Sequence, residues 1–191
     1  MTSLFTKAIG NSKEFMELNK GIKEGFNTIS LNGLSGSSIA HVVNSLQEEN
    51  IKQSIILTYN EIEAKKLYED LKYFCEDKTY HFPAKEIVFY DVYAHSNEVN
   101  SERLRVLDRV TMKKECIIIA AVDSIITRLT PKAEWEKHQI KLKLGEIINL
   151  NELINKLVFM GYERADMVES KGQFSIRGGI IDFYSPTFEH P

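Results

Sequence analysis

Cys116-Ile117-Ile118-Ile119-Ala120-Ala121-Val122 is an unbroken apolar run with three consecutive isoleucines and no charge to mark an outer face. It lacks the alternation of a half-exposed strand and is too short for a core helix. It reads as a strand buried on both faces, the mark of a parallel sheet covered by helices. Upstream, residues 54–59 (Ser-Ile-Ile-Leu-Thr-Tyr) have the same near-continuous apolar character, and residues 79–82 form a shorter run that Pro83 ends. Between these two runs, Ile62, Leu67, Leu71 and Phe74 recur at helical spacing, and Asn60 with Glu63 makes a capping-box arrangement at the start. Residues 99–112 read as a second helix, with Leu104, Leu107 and Val110 on one side and Arg103, Arg105 and Arg109 around the other, where Glu102 and Asp108 are near enough to pair. Asp123 and Ser124 cap a short helix ending near Leu129, and Pro131 marks a boundary. Strands alternating with helices give an α/β unit over residues 1–130 with a parallel sheet of mononucleotide-binding type.

The start of that unit carries a second informative stretch. Residues 4–22 suggest two short amphipathic helices broken near Gly10-Asn11. Residues 28–32 are β-rich and lead into Gly33-Leu34-Ser35-Gly36-Ser37-Ser38-Ile39-Ala40, after which Ile39, Val42, Val43 and Leu46 line a helix. Strand, small-residue loop and helix in that order is the architecture of a phosphate-binding loop. A working loop reads G-x-x-x-x-G-K-[ST], whose lysine neutralises phosphate charge and whose hydroxyl holds Mg²⁺. Counted from Gly33, the second glycine position is Ser38, the lysine position is Ile39 and the hydroxyl position is Ala40. Gly33, Gly36, Ser37, Ser38, Ile39 and Ala40 thus keep the shape of a degenerate loop without its chemistry, and phosphoryl transfer loses its main electrostatic support. An active ATP site would need a lysine from elsewhere, such as Lys65 or Lys66. Residues 86–96 hold Phe89, Tyr90, Asp91, Tyr93 and His95. They read as a packed loop or, together with the Arg103 helix, as a base-stacking platform for DNA.

Past Pro131 the pattern changes. Residues 140–144 (Ile-Lys-Leu-Lys-Leu) alternate strictly, as a half-exposed strand does. Asn151 starts a helix carrying Leu153, Ile154, Leu157, Val158 and Met160, and Gly161 stops it. Ser170-Lys171-Gly172 then reads as a tight hairpin turn. Phe174 and Ile176 point one way, and Gln173, Ser175 and Arg177 the other. Gly178-Gly179 reads as a bulge or bend, and residues 180–184 resume as a third strand. The expectation for residues 131–191 is a small α+β domain whose antiparallel sheet presents Arg164 and Arg177.

Composition narrows the function classes. Of 191 residues 43% are hydrophobic and 27% charged, which is ordinary for a soluble globular protein, and the net charge of −3 disfavours autonomous nucleic-acid binding. The two cysteines, Cys75 and Cys116, form no CxxC pair and read as free thiols of a reducing compartment, while the five histidines lack metal-ligand spacing. No metal site, cofactor or catalytic dyad is expected. Residues 1–25 do not form a signal peptide and nothing approaches the length of a membrane span, so the expected location is cytoplasmic.

Several motifs in register resemble a known family. Gly33 to Ala40, Phe89-Tyr90-Asp91, Ile118-Ile119-Ala120-Ala121-Val122-Asp123-Ser124-Ile125 and Phe174-Ser175-Ile176-Arg177-Gly178 occur in the same order in the excision-repair helicase UvrB. The whole chain more closely resembles the N-terminal UvrB-like module of the bacterial transcription-repair coupling factors, the Mfd family. The residues at the loop's lysine and threonine positions, and the dozen or so residues between Asp91 and Arg103, too few for UvrB's long DNA-gripping hairpin, favour the coupling factors over UvrB itself. The resemblance implies a RecA-like first domain without nucleotide chemistry and a second domain that docks the damage sensor UvrA. It further implies that the chain is part of a longer protein whose other domains bind RNA polymerase and translocate on DNA. By motif, the implied partner-binding residues are Arg164 and Asp166 in Tyr162-Glu163-Arg164-Ala165-Asp166, and Gln173, Phe174 and Arg177 around Phe174-Ser175-Ile176-Arg177-Gly178. UvrB has a further arginine where this chain has Ser175, so a neighbour such as Gln173 or Lys171 is expected to share the contact.

Overall fold

The computed structural model describes residues 9–48, 53–85 and 97–188. The chain forms two compact units, one from residues 1–84 and 112–126 and the other from residues 85–111 and 127–191.

The first unit is built on the isoleucine run. Strands β1 (Gln53–Thr58), β2 (Thr79–Phe82) and β3 (Cys116–Ala121) form a parallel sheet in the order β1-β3-β2. Every residue of β3 is buried, as an apolar run without alternation requires. Helix α1 (Lys13–Lys23) is capped by the Ser12 hydroxyl, which accepts from the Phe15 N–H at 3.1 Å. Helices α2 (Ser37–Glu48) and α3 (Glu61–Cys75) follow in sequence. At the head of α3 the Asn60 side chain accepts from the Glu63 N–H at 2.8 Å. Ala40, Ala64, Leu67 and Leu71 pack on Ile117, Ile119 and Ala121 to form the core. A short helix α4 (Val122–Ile126) leaves the end of β3.

Two expectations fail in this unit. The run at residues 54–59 is not covered on both faces. Ile55 is 65% exposed although its register partner on β3, Ile118, is only 5% exposed. Among the described residues, β1 lies at the edge of the sheet, with a strand on one side only. Residues 28–32 form no strand. They are exposed for most of their length and, among the described residues, find no neighbouring strand to satisfy their backbone groups. Among the described residues no helix is long and apolar enough to cross a membrane.

The second unit contains α5 (Asn97–Thr111), α6 (Lys132–Lys137), α7 (Leu150–Phe159) and strands β4 (Glu163–Arg164), β5 (Gln173–Arg177) and β6 (Ile180–Phe183). On α5 the buried residues are Ser101, Arg103 and Val106, so the stripe expected at Leu104, Leu107 and Val110 is displaced round the helix. Arg103 is only 3% exposed, although the sequence places it on the charged side of the helix. Burial lowers its pKa from the usual guanidinium value, and its Nη2 donates to Thr127 Oγ1 at 3.5 Å. Residues 140–144 form no strand either, because alternation alone supplies no partner ladder among the described residues. Ile140 packs on the core of this unit, while Leu144 and Ile147 stand fully exposed.

Sheet order is β4-β5-β6, with β4 parallel to β5 and β5 antiparallel to β6. The sheet is therefore mixed, and the expected all-antiparallel arrangement is corrected. The error lies at 170–172, where Gly172 takes the expected positive φ of +82° without closing a hairpin. Residues 165–172 instead loop back so that β5 runs alongside β4. The real hairpin turn is Gly178-Gly179. The register pairs Arg177 with Ile180 across it, and Gly178 has φ +60°, as the first central residue of a type II′ turn requires.

Candidate docking site

The support of the site is a helix packed under a small sheet. Asn149 caps α7 by accepting from the Asn151 N–H at 3.0 Å. The helix ends in a Schellman arrangement, in which Gly161 N donates to Val158 O and Tyr162 N to Leu157 O, both at 3.0 Å, with Gly161 at φ +86°. This stop delivers Tyr162 into the core and Glu163-Arg164 into β4. Leu153, Leu157 and Phe174 are the buried centre, and Ile140, Ile154, Met160, Tyr162, Ile176, Ile181 and Phe183 pack around them. Burial raises the Tyr162 phenol pKa, partly offset by its hydrogen bond to Ser185.

The residues singled out in the sequence occupy distinct positions. Phe174 is 1% exposed and belongs to the core, so its side chain offers no contact surface. Gln173 organises the loop behind β5, its Oε1 accepting from the Glu169 and Ser170 N–H groups, each at 3.0 Å. Glu163 N donates to Gly172 O and Ala165 N to Phe174 O, which fixes β4 against β5. Arg164 and Asp166 are exposed, and among the described residues nothing pairs with the Arg164 guanidinium. Arg177 is exposed as well, but its Nη2 donates to Asp182 Oδ2 at 3.1 Å. An ion pair this exposed is worth at most about 1 kcal/mol. Lys171 lies half-buried, its Nζ 5.9 Å from the centre of the Tyr184 ring. Ser175, at the position of UvrB's further arginine, is 1% exposed, with its Oγ unpartnered.

Register relates the two arginines. Arg164 is paired with Phe174, at the rim of the face that carries Phe174 and Ile176. Arg177 lies three residues further along β5, on the face that carries Gln173 and Ser175. The offset along the strand is about 10 Å at the usual rise per residue. The two guanidiniums thus flank the sheet from opposite faces.

In the first unit, the loop at residues 33–40 has Gly33 at φ +83° and Gly36 at φ +53°, and Ser37 begins α2. The Ser38 hydroxyl accepts from Ser35 N at 2.8 Å and donates to Ser35 O at 2.7 Å. Ala40 is fully buried in the core, and Ile39 packs against it. The aromatic residues of 86–96, including Tyr90 and Tyr93, lie outside the described residues. On the Arg103 helix of that DNA-binding reading, Arg103 is buried and Arg105 and Arg109 are half-buried.

Residues 140–191, which include β4, β5, β6 and α7, match the family profile described as the UvrB interaction domain. The site thus lies in a stretch that is similar to an interaction domain of the UvrB class. Across nearly its whole length the chain is similar to transcription-repair-coupling factors. It is 36% identical over 184 residues to the transcription-repair-coupling factor of Bacillus subtilis (strain 168), which covers 96% of this chain and 16% of the relative. It is also 36% identical over 185 residues to that of Staphylococcus haemolyticus (strain JCSC1435), with the same coverage. The factor of Staphylococcus aureus (strain USA300) is 32% identical over 183 residues, covering 95% of this chain and 16% of the relative. The chain spans about a sixth of the length of these relatives.

Proposed function

We infer that this chain is a non-catalytic recruitment module that docks the excision-repair protein UvrA through Arg164 and Arg177. The observation that carries the reading is the match of residues 140–191 to the UvrB interaction domain, since those residues build the sheet on which both exposed arginines sit. Residues 131–191, within the second unit, serve as the docking domain, and the parallel sheet of the first unit serves as a RecA-like scaffold with a degenerate phosphate loop. At the positions where a working loop has lysine and Ser/Thr, Ile39 and Ala40 turn to the hydrophobic core, and the Ser38 hydroxyl is engaged by Ser35. That disposition leaves the loop no cation for a phosphate and supports a chain without enzymatic activity or cofactor of its own. RNA polymerase and DNA would be partners of other segments in a longer cytoplasmic protein of this family.

Arginine suits the role, because its planar fork pairs with a carboxylate through two parallel hydrogen bonds. Calorimetry with purified UvrA tests the reading. Arg164→Ala is expected to weaken binding by about 2 kcal/mol, as for an anchor in a desolvated interface, with an unchanged thermal melt. Arg177→Ala is expected to cost less, because its guanidinium must first leave Asp182. Wild-type affinity in both variants rejects the proposal.

A further inference from the structure

The tip of the β5–β6 hairpin holds a charge arrangement that the docking reading leaves unexplained. Arg177 closes β5 and stands opposite Ile180 across the two-residue turn, while Asp182 lies opposite Ser175, one step back on the same face. The guanidinium reaches diagonally across the ladder and meets the carboxylate through one contact, Nη2 to Oδ2 at 3.1 Å. A bidentate arginine–carboxylate pair makes two shorter parallel bonds. Here the remaining N–H groups of Arg177 point to no protein acceptor among the described residues. The two side chains are 66% and 48% exposed, so neither is locked in place by packing.

Among the described residues, the carboxylate has no second hold. Ser175 Oγ, directly across the ladder, is buried without a hydrogen-bond partner, so it does not anchor Asp182. The arginine is the only partner of Asp182 among the described residues, and when it leaves, water replaces it at a half-exposed carboxylate. The pair can therefore open and close at little cost. While closed, the pair has no net charge, so its pull on an anionic surface is weaker than that of an unpaired arginine. Among the described residues, Arg164 has no such counter-ion.

We propose that Asp182 is an internal competitor for Arg177. It occupies the guanidinium through a single hydrogen bond until a partner carboxylate able to make two takes its place. Asp182 is thus a specificity-determining residue of the docking surface, selecting acidic partners that offer two oxygens in the plane of the guanidinium. This inference rests on the docking reading above for the identity of the partner, but the competition itself is a property of this chain alone. Two opposed effects follow from removing the Asp182 charge. Arg177 loses a weak orienting contact, and the incoming acidic group loses a like-charge neighbour at the interface. The second is the larger, because exposed pairs order their partners feebly whereas like charges brought together across an interface repel strongly.

The test uses the chain as it stands, with Asp182→Asn, Arg177→Ala and the double variant. Binding of purified UvrA is measured at low and high salt, and phenylglyoxal modification of Arg177 is mapped by mass spectrometry without UvrA. Asp182→Asn is expected to tighten UvrA binding by about threefold to tenfold at low salt, mainly through the association rate. The gain should shrink at high salt, vanish in the double variant and accompany faster modification of Arg177. Faster modification with no UvrA binding by any form keeps the competition and rejects UvrA as the partner. Unchanged or weaker binding in Asp182→Asn, or a gain that persists without Arg177, overturns the proposal, as does a modification rate equal to that of the unaltered chain.

Discussion

Each unit holds a three-stranded sheet, and the central strands of the two sheets differ in kind. β3 has neighbours on both sides and is buried along its whole length, so all its residues are apolar and none can meet a partner. β5 is also central, but only Phe174 and Ser175 are buried, and its last residue, Arg177, emerges at a turn. A parallel strand flanked by helices is a structural filler whose chemistry is fixed by burial. A short strand in a small mixed sheet can leave the core within one residue. That is how one end of β5 supports the domain while the other displays a charge.

The largest expected effect compares the two cores. Ile119→Ala and Phe174→Ala should each cost about 2–5 kcal/mol, because both create cavities. Hydrogen exchange should show the loss confined to the unit that carries the substitution. If Phe174→Ala leaves the second unit's amides protected and abolishes only partner binding, Phe174 is a contact and the contrast between the two strand ends fails.

A smaller effect probes the exit from β5. Gly178→Ala places a side chain at φ +60° and should destabilise the hairpin by about 1–2 kcal/mol. Gly179 lacks positive φ and has open space where a Cβ would stand, so Gly179→Ala should be nearly neutral. Urea melts of the pair check this. Equal costs would mean that the turn is not held by the backbone conformation described.

The smallest effect is a pH dependence confined to the second unit. The folded pKa of Tyr162 is raised above 10.0 by burial, so its neutral form is the one the fold favours. The associated stability is full below the unfolded pKa and is lost as pH rises through the folded value. Tyr162→Phe should flatten the alkaline decline of the second unit and leave that of the first unchanged. An identical alkaline slope in the variant would show that another group governs it.

Several elements were legible because a local rule settles them. The isoleucine run fixed β3, Asn60 capped α3 through its own side chain, and Gly161 stopped α7 in the one conformation that favours glycine. Exposure of Arg164 and Arg177 also followed from their places in the pattern. Other features depend on neighbours that no local rule names. Residues 140–144 alternate like a strand, yet no described strand pairs with them. Arg103 looks solvated on a helical wheel, but a long side chain with an apolar stem can be buried when its head finds a partner. α6 escaped notice because six mostly charged residues carry too little apolar periodicity to announce a helix.

At the candidate site, the amino-acid sequence by itself determined where the guanidinium groups of Arg164 and Arg177 fall in the pattern and that the loop at 33–40 has no lysine for a phosphate. It did so because residue type sets charge, hydrogen-bonding capacity and local backbone preference. Only the tertiary structure decided that β4 runs parallel to β5, that the arginines flank the sheet from opposite faces, and that Arg177 rests on Asp182. Strand direction and register arise from long-range pairing. A loop of eight residues can return either way until the packing of Phe174 against Leu153 and Leu157 selects one.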